Sequence, residues 1–330
     1  MKKKIAVIGV GGRTGTMFAF ELGKVSNLLG IGKDVEKIKN KKLFVERKEE
    51  SPKVFEERVI SDSQWLLEDF LPEIVFLATK NPVASVVKFY YRKFKEKNLP
   101  PPTLVLSQNG IGCIEDALSS LKEVFSEDFS KIRVIRLSLF NPIDQKIEND
   151  KVYVNYSLPI RVSLAKASGP GDLKDLESLF KEARIEATFF PPPKVKDMEY
   201  SKLFFNLIGM ASASHGFSIK EGFQNPGVFQ EEIGALKEYI KVVLASGGEF
   251  LNIPHYPVKR LNFFIRIFPT KILLPFRNYF ASLIAEGREG KPKQIDEIRY
   301  YNGTVVSLGK KVGIARPINQ KIIKRVLNQW

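Results

Sequence analysis

The sequence predicts an α/β protein in which a doubly wound parallel sheet is followed by an all-helical domain. Short apolar runs alternate with amphipathic helix patterns in the first half of the chain, as in sheets covered by helices on both faces. Three consecutive prolines, 191–193, separate that half from a remainder with apolar residues at helical spacing. A length of 330 residues also favours two domains. We therefore expect domains at 1–193 and 194–330.

The strands of the first domain are predicted from apolar runs that end in turn residues. A parallel sheet is expected because helix patterns lie between most of the runs. The predicted strands are 5–8, 28–34, 74–78, 103–106, 133–137, 151–156, 160–164 and 186–190, and the predicted helices are 17–23, 34–42, 83–95, 115–125 and 169–181. The three prolines are expected to form an extended link.

The second domain is predicted to consist of helices. The predicted helices are 195–214, 229–251 and 295–312, with a last helix that Pro317 begins. Gly313 is expected to end the third of these, because glycine readily adopts the left-handed conformation at a helix end. Lys202 and Asn206 are four residues apart on the first helix and share one of its faces.

A glycine-rich turn follows the first apolar run directly. A strand that turns sharply into a helix presents backbone N–H groups and the positive end of the helix dipole, which suit a pyrophosphate. The sequence therefore predicts a dinucleotide-binding domain of the Rossmann type. The turn residues expected at the cofactor are Gly9, Gly11, Gly12, Arg13, Thr14 and Gly15.

The glycine spacing departs from the usual pattern, which would put a third glycine at position 14. This chain has Thr14 there, and Gly15 follows. Either the loop is one residue longer than usual, or Gly9, Gly12 and Gly15 share the roles of the three glycines. An ordinary tight turn without a nucleotide is the alternative interpretation.

The cofactor preference is predicted from the end of the second strand. In this fold an acidic side chain there suits the free 2′-hydroxyl of NAD, and a basic one suits the 2′-phosphate of NADP. Lys33 follows the strand, and Arg13 adds a second positive charge. These residues favour NADP, although Asp34 can accept the ribose hydroxyls or cap the next helix.

Composition limits the other interpretations. The net charge is +15, but the basic residues are spread along the chain, so solvated surface and steering of anionic ligands are favoured over nucleic-acid binding. The single Cys113 fits a reducing cytoplasm, and no Cys/His cluster has metal-ligand spacing. The apolar run after the N-terminal lysines is too short for a signal peptide, and no run is long enough to span a membrane.

Residues 254–281 form an unusual segment. They include five basic residues and no acidic one, with many Phe, Ile and Leu residues. A membrane-surface helix has this composition, but prolines at 257, 269 and 275 divide the segment. A structural insertion that packs on the helical domain is the favoured interpretation, and a dimer contact or membrane association is the alternative.

Four separated segments resemble one known family. They are QNGIG at 108–112, KLFFN at 202–206, EIRYYNG at 297–303 and GIARPIN at 313–319. In order and approximate spacing they resemble the ketopantoate reductases (2-dehydropantoate 2-reductases). The resemblance implies reduction of a 2-oxo acid by NADPH to a 2-hydroxy acid, with ketopantoate of the pantothenate pathway as the expected substrate and an active cleft between the two domains.

The resemblance also implies roles for individual residues. Lys202 resembles the catalytic lysine, and a lysine among apolar neighbours would have a lowered pKa. Glu297 resembles the carboxylate that holds the substrate, although counting forward from residues 290–292 selects Gln294 instead. Asn206 and Ser282 resemble substrate-binding residues. Each role has an alternative without a ligand: Lys202 as a surface lysine, Glu297 as a carboxylate at a helix N-terminus, and Ser282 as a small helix residue.

Two further residues are expected near the cofactor. Asn109 resembles the asparagine beside the nicotinamide and the substrate, and Lys80 resembles a basic residue at the end of its strand. Met210 is a departure, since the family often has another substrate-binding asparagine there, and His215 and His255 are given no role. A different oxo acid or an opine is the alternative substrate, and a non-catalytic nucleotide-binding protein is the alternative function. A small-molecule partner and a homodimer are expected, while a nucleic-acid or membrane partner is not favoured.

Overall fold

The computed structural model describes residues 2–32, 35–48, 50–65, 67, 69–285 and 290–328. The chain divides into two compact units. The first consists of the residues up to 108 together with 112–195, and the second of 109–111 together with the residues from 196 onward. The short segment 109–111 therefore belongs to the second unit, although it follows a strand of the first.

The first unit contains alternating strands and helices. Its strands are β1 (Lys4–Ile8), β2 (Asn27–Ile31), β3 (Leu43–Arg47), β4 (Lys53–Val54), β5 (Val59–Ile60), β6 (Ile74–Leu77), β7 (Thr103–Leu106), β8 (Val134–Leu139), β9 (Ile143–Glu148), β10 (Lys151–Tyr156), β11 (Ile160–Ser168) and β12 (Ile185–Phe190). Its helices are α1 (Arg13–Gly23), α2 (Val35–Lys39), α3 (Ala84–Glu96), α4 (Cys113–Phe125) and α5 (Lys174–Glu182).

Eight of these strands form the central sheet, in the order β12-β11-β8-β7-β6-β1-β2-β5. Every pairing in it is parallel except that between β8 and β11. Side chains of β1 alternate between two cores, with Ile5 and Val7 in one and Ala6 and Ile8 in the other. Helices α1 and α5 cover the first face, and α3 and α4 cover the second. The predicted doubly wound α/β sheet is confirmed.

A second sheet, which the sequence did not indicate, has the strand order β4-β3-β10-β9. It is joined to α1 by a buried polar cluster around Glu21. Arg47 donates two hydrogen bonds to the Glu21 carboxylate, at 2.9 and 2.7 Å, and the Tyr156 hydroxyl donates a third at 2.6 Å. Burial and the Glu21 charge raise the pKa of Tyr156, so the hydroxyl keeps its proton. The cluster fixes the second sheet against the helix that follows the glycine turn.

The second unit is helical, as predicted. Its helices are α6 (Val195–Leu207), α7 (Met210–Ser214), α8 (Ile219–Gln224), α9 (Pro226–Ala245), α10 (Val258–Ile267), α11 (Thr270–Leu273), α12 (Arg277–Ala285), α13 (Asn302–Lys311) and α14 (Pro317–Leu327). Gly313, with a φ of +69°, follows α13, and Pro317 begins α14 as expected.

Three of the predicted local structures are wrong. The helix predicted at 195–214 is interrupted at Gly209, which has a φ of +88° and is followed by α7. The helix predicted at 295–312 begins only at Asn302, after a series of turns. The three prolines do not form a fully extended link, because a 3-10 turn at Pro192–Lys194 leads directly into α6. In the two helix predictions the apolar spacing continued across a break in the backbone conformation.

Membrane-spanning helices and metal-binding clusters are both absent from the described residues. None of the helices there combines the length and the apolar character that crossing a bilayer needs. No group of three or more His, Cys, Asp or Glu side chains in those residues is arranged to hold a metal ion. Cys113 is buried at the start of α4.

Candidate active site

The glycine turn links β1 to α1 in the first unit. Gly9 and Gly11 both have positive φ values, +98° and +103°, which side chains with a Cβ atom rarely adopt. Helix α1 begins at Arg13, with Gly12 in extended conformation at its N-cap. The first amide groups of the helix therefore point back toward the turn, as an anion-binding helix start requires.

The close approach of helix and strand in this turn is made at Gly15. A Cβ atom on Gly15 would lie 2.2 Å from the carbonyl oxygen of Gly9, whereas one on Gly12 would lie 3.2 Å from the same oxygen. Position 14, where the usual spacing has glycine, is occupied by the half-buried Thr14. Gly15 thus makes the helix–strand contact that a third glycine usually makes, one residue later in the chain.

The loops after three neighbouring strands meet at one edge of the central sheet. A Cβ atom on Gly9 would lie 2.9 Å from the backbone of Ala78, which follows β6. Gln108, after β7, donates to the carbonyl oxygens of Leu77 and Thr79 at 2.9 and 3.1 Å. These are the carboxyl ends of parallel strands, where ligands bind in this architecture.

A fully buried arginine supports this edge from behind. Arg136 on β8 donates to the carbonyl oxygens of Leu106, Leu137 and Gln108, at 3.1, 2.6 and 2.6 Å. The bonds to Leu106 and Gln108 hold the end of β7 in place just before Asn109. The sequence alone does not indicate this role of Arg136, because a strand pattern does not reveal which carbonyl oxygens will accept its hydrogen bonds.

The other residues predicted at the cofactor have differing surroundings. Arg13 is half-buried as the first residue of α1, and Lys80 is exposed after β6. Lys33 and Asp34, on which the predicted preference for NADP depends, lie outside the described residues. The NADP preference therefore stays a prediction from the sequence.

Helix α6 carries Lys202 and Asn206 in the second unit. Lys202 is half-buried, and its immediate neighbours Ser201 and Leu203 are fully buried. Asn206 lies four residues further, so the two side chains lie one turn apart on the same face of the helix. The Asn206 side-chain amide donates to the side-chain oxygen of Asn109 at 3.4 Å. Lys202 and Asn206 therefore share one face of α6, and Asn109 contacts Asn206.

Gly110 explains why segment 109–111 packs within the second unit. It has a φ of +87°, and a Cβ atom there would lie 2.8 Å from the carbonyl oxygen of Tyr300. Only glycine permits this contact between two backbones. The contact places Asn109 beside α6 and beside the turns that contain Glu297.

Glu297 is linked to the end of α6 through two residues that the sequence analysis missed. The Tyr301 hydroxyl donates to the Glu297 carboxylate at 2.8 Å. The Lys293 ammonium lies 5.7 Å from the centre of the Tyr301 ring and donates to the carbonyl oxygens of Asn206 and Ile208 at 2.6 and 3.3 Å. A lysine that both caps a helix end and lies over an aromatic ring is well fixed.

The two candidates for the substrate carboxylate position have different environments. Glu297 is half-buried and held by Tyr301, whereas Gln294 is exposed. Ser282 on α12 is exposed too, and its hydroxyl donates to the Tyr279 carbonyl oxygen at 2.8 Å. Met210 begins α7 with no exposed surface.

A buried glutamate fixes the junction between α6 and α7. Glu232 on α9 accepts hydrogen bonds from the Gly209 amide at 3.2 Å and from the amide and hydroxyl of Ser212, both at 2.7 Å. Burial raises the pKa of Glu232 to about 6, against the opposing effect of these donors and of the Lys293 charge. The hydrogen bonds to Glu232 therefore stabilise the break between α6 and α7 at Gly209.

Two of the segments that carry the family resemblance have structural roles. Asn319 is fully buried, accepts a hydrogen bond from Asn302 at 2.9 Å, and donates to the Glu238 carboxylate at 2.7 Å. The same carboxylate accepts the amides of Ile318 and Asn319 at the start of α14. These contacts join α9, α13 and α14, and both polar atoms of the Asn319 side chain are hydrogen-bonded within the second unit.

His215 belongs to an ion cluster around Glu231. Its Nε2 atom lies 2.8 Å from the Glu231 carboxylate, which also accepts two hydrogen bonds of 2.8 Å from Arg325. Burial acts to raise the pKa of Glu231, but the hydrogen bonds from Arg325 and His215 outweigh it and lower the pKa to about 2. The cluster joins α7, α9 and α14.

We expect Glu231→Gln to lower the free energy of unfolding by about 2 kcal/mol at neutral pH. The folded-state pKa lies below the unfolded value, so the contribution is present above about pH 4.5 and disappears as the pH falls toward about 2. Urea titrations of both proteins from neutral to acidic pH measure it. Glu127→Gln on an exposed 3-10 turn is the control, and it should change the free energy of unfolding little. If Glu231→Gln lowered the free energy of unfolding equally at neutral and acidic pH, the lowered pKa of Glu231 would be contradicted.

The chain is similar to several known oxidoreductases. No family model matches the chain. The 2-dehydropantoate 2-reductase of Aquifex aeolicus is 24% identical over 267 residues, which cover 78% of this chain and 76% of that protein. Among solved structures, the 2-dehydropantoate 2-reductase of Methylococcus capsulatus has a TM-score of 0.65 at 17% identity and covers 98% of this chain and 96% of its own.

Two further structures have the same fold. The ketopantoate reductase of Ralstonia eutropha JMP134 has a TM-score of 0.68 at 15% identity, with 98% of this chain and 96% of that chain covered. A D-mandelate dehydrogenase in complex with NADH has a TM-score of 0.65 at 18% identity, with 99% and 98% covered. The predicted resemblance to the ketopantoate reductases is therefore confirmed, since the chain is similar in sequence to one curated 2-dehydropantoate 2-reductase and shares the fold of these solved structures.

Proposed function

We propose that this protein reduces a 2-oxo acid to a 2-hydroxy acid with NADPH, and that 2-dehydropantoate is the favoured substrate, which would place it in pantothenate biosynthesis. The observation that carries the proposal is the arrangement in the second unit. Asn109 and Asn206 contact each other, and Lys293 and Tyr301 link Glu297 to the same end of α6. The name of the Aquifex aeolicus relative supports the choice of substrate. The buried single Cys113 fits a reducing cytoplasm as the proposed location.

The glycine turn fits the pyrophosphate of a dinucleotide. Gly9 and Gly11 have positive φ values, and Gly15 lets α1 approach the strand closely, so that the helix start presents its amides to an anion. The residues that would hold the cofactor here are Gly9, Gly11, Gly12, Arg13, Thr14 and Gly15. Lys80 and Asn109 are proposed to join them, and they follow the ends of β6 and β7. A bound nicotinamide would supply the hydride.

Lys33 and Arg13 support NADP over NAD, because two cations suit a 2′-phosphate. We expect Lys33→Ala to weaken NADPH binding by at least about tenfold while it changes NADH binding much less. Fluorescence titration with each nucleotide measures both constants, and Lys97→Ala on an exposed helix end is the control. Equal losses for the two nucleotides would contradict a contact between Lys33 and the 2′-phosphate.

Lys202 is assigned as the proton donor. When a ketone is reduced, negative charge develops on its oxygen, so a cationic donor at that oxygen stabilises the transition state and completes the alcohol. The half-buried position of Lys202 on α6, one turn from Asn206, supports this role. Its ammonium would hydrogen-bond the ketone oxygen and then transfer its proton there.

The remaining predicted residues are assigned to the substrate. Glu297 would bind the hydroxyl end of the substrate, and its fixed position beside Tyr301 supports it over the exposed Gln294. Asn109 and Asn206 have amide groups suited to the oxygens of an oxo acid. Ser282 is proposed for the substrate carboxylate, although its hydroxyl already donates to Tyr279.

A different 2-oxo acid is the second candidate substrate, and Met210 favours it. This side chain is apolar and fully buried, so it supplies no hydrogen bond where the family often has asparagine. The test is NADPH oxidation, followed at its absorbance band, with a panel of 2-oxo acids that includes ketopantoate and benzoylformate. We expect ketopantoate to give the highest kcat/KM. Preference for another 2-oxo acid would move the assignment to it, and NADPH binding without reduction of any acid would favour a non-catalytic nucleotide-binding protein.

A further inference from the structure

The helices α10 to α12 present large apolar side chains to solvent. Phe263 and Phe264 are 54% and 49% exposed, and Tyr279 is 64% exposed. We call the exposed side chains of residues 259–279 the α10–α12 face. Its apolar members are Phe263, Phe264, Ile267, Ile272, Phe276 and Tyr279. Such clusters are uncommon on surfaces that meet only water and mark sites of interaction.

Helix α10 is apolar on two opposite sides. Val258 and Ile265 are buried, seven residues apart, and form its inner stripe. Phe263, Phe264 and Ile267 recur at helical spacing and are exposed on the other side. A surface helix that has only one neighbour needs polar residues on its outer side. The outer stripe of α10 is therefore not explained by packing against the part of the chain that the structure describes.

The inner sides of α10 to α12 pack on the second unit, as the sequence predicted for residues 254–281. Helices α10 and α11 both pack on the long helix α9, and Lys237 of α9 donates to the Phe268 carbonyl oxygen at 2.6 Å between them. Arg277, at the start of α12, donates to the Gln224 carbonyl oxygen at 3.1 Å. The segment thus packs on the helical unit as expected, and the exposed aromatic residues are additional to that packing.

The charged side chains of the α10–α12 face are all positive. No aspartate or glutamate occurs from residue 250 to 285. Exposed basic side chains lie among the exposed aromatic ones, and they are Lys259, Arg260, Arg266 and Lys271. Basic residues interleaved with Phe, Ile and Tyr are the composition of segments that lie on anionic lipid surfaces.

We propose that the α10–α12 face docks on an anionic membrane surface. The aromatic and aliphatic side chains would enter the region between headgroups and acyl chains, and the four exposed lysine and arginine residues would pair with lipid phosphates. An anionic bilayer complements both properties of the face. A second copy of this chain would complement the apolar side chains but not the charge, because a two-fold contact would bring the same basic residues together.

Sedimentation with vesicles tests the proposal on the full-length protein. The probes are phosphatidylcholine vesicles with and without phosphatidylglycerol. We expect binding to the anionic vesicles to be at least about tenfold tighter than to the neutral ones and to weaken in high salt. Phe263→Ser/Phe264→Ser and Lys259→Gln/Arg260→Gln should each weaken it by at least about tenfold.

Matched variants elsewhere separate this face from general effects. Ile147→Ser removes a side chain that is 70% exposed in the first unit, and Lys310→Gln/Lys311→Gln removes two exposed neighbouring lysines of α13; both should bind vesicles normally. An unchanged Tm shows that each variant is folded. Absence of binding, equal binding to both vesicles, or equal losses in the control variants would overturn the proposal. So would a dimer that Phe263→Ser/Phe264→Ser converts to a monomer.

Discussion

Replacement of Lys202 by alanine is expected to lower kcat by at least about a hundredfold, the scale of losing a general acid. The reason is that the ketone oxygen gains negative charge as it is reduced and then needs a proton. NADPH binding should be nearly unchanged, because Lys202 is proposed to contact the ketone oxygen of the substrate rather than the nucleotide. Steady-state rates with the best 2-oxo acid and a separate NADPH titration measure the two effects.

A matched lysine on the same helix is the control for that variant. Lys196 is exposed near the start of α6, so Lys196→Ala should retain nearly normal kcat. A pH–rate profile adds a second readout, since loss of the proton donor should remove the decline in rate at high pH. Near-normal turnover of Lys202→Ala would remove Lys202 from its proposed role.

Gly15→Ala is expected to damage the first unit more than its single methyl group suggests. The new Cβ atom would lie 2.2 Å from the carbonyl oxygen of Gly9 and 2.6 Å from its carbonyl carbon, and backbone atoms cannot move aside cheaply. We expect the free energy of unfolding to fall by about 1–3 kcal/mol. NADPH binding should weaken by at least about tenfold, because a shifted turn no longer aligns its amides with the pyrophosphate.

Gly227→Ala is the matched control for this glycine. Gly227 lies in the first turn of α9, and a Cβ atom there would lie 3.5 Å from its nearest neighbour, an ordinary contact. It should therefore leave stability and NADPH binding nearly unchanged. If Gly15→Ala binds NADPH as well as Gly227→Ala does, the close approach at Gly15 is not needed by the cofactor site.

The central sheet was predictable because its strands are buried on both faces. Runs such as Ile5–Ile8 and Ile74–Leu77 are apolar throughout, and this pattern is typical of parallel strands under helices. The second sheet was not predictable in the same way. β9 is exposed along most of its length, and β3 pairs in parallel with β10, more than a hundred residues further along the chain. A pairing of that kind leaves no local pattern.

The helical breaks show a second limit of sequence patterns. Apolar spacing continues from α6 into α7, so the sequence indicated one helix. The break depends on Gly209 in left-handed conformation, with Glu232 of the distant helix α9 accepting its amide. A single glycine within a helix pattern does not reveal such a partner. The start of α13 was misplaced for a similar reason, since Tyr301 belongs to turns that pack on Lys293.

The roles of the candidate site residues stay predictions, and the sequence indicated only part of the contacts that hold these residues in place. The spacing of Lys202 and Asn206 gave their common helix face directly. Lys293 and Tyr301 were missed, because their roles depend on contacts with α6 and Glu297 that no sequence spacing shows. No local pattern marks Lys293, because its acceptors Asn206 and Ile208 lie 87 and 85 residues earlier in the chain.

Transfer of deuterium from NADPH labelled at C4 of the nicotinamide tests the central claim most directly. The labelled cofactor, in each of its two stereochemical forms, is incubated with the preferred 2-oxo acid, and the product is analysed by NMR and mass spectrometry. We predict deuterium at C2 of the 2-hydroxy acid from one of the two forms, with formation at least about a hundredfold slower in Lys202→Ala. A protein that binds NADPH but yields no labelled hydroxy acid from any acid of the panel would contradict it.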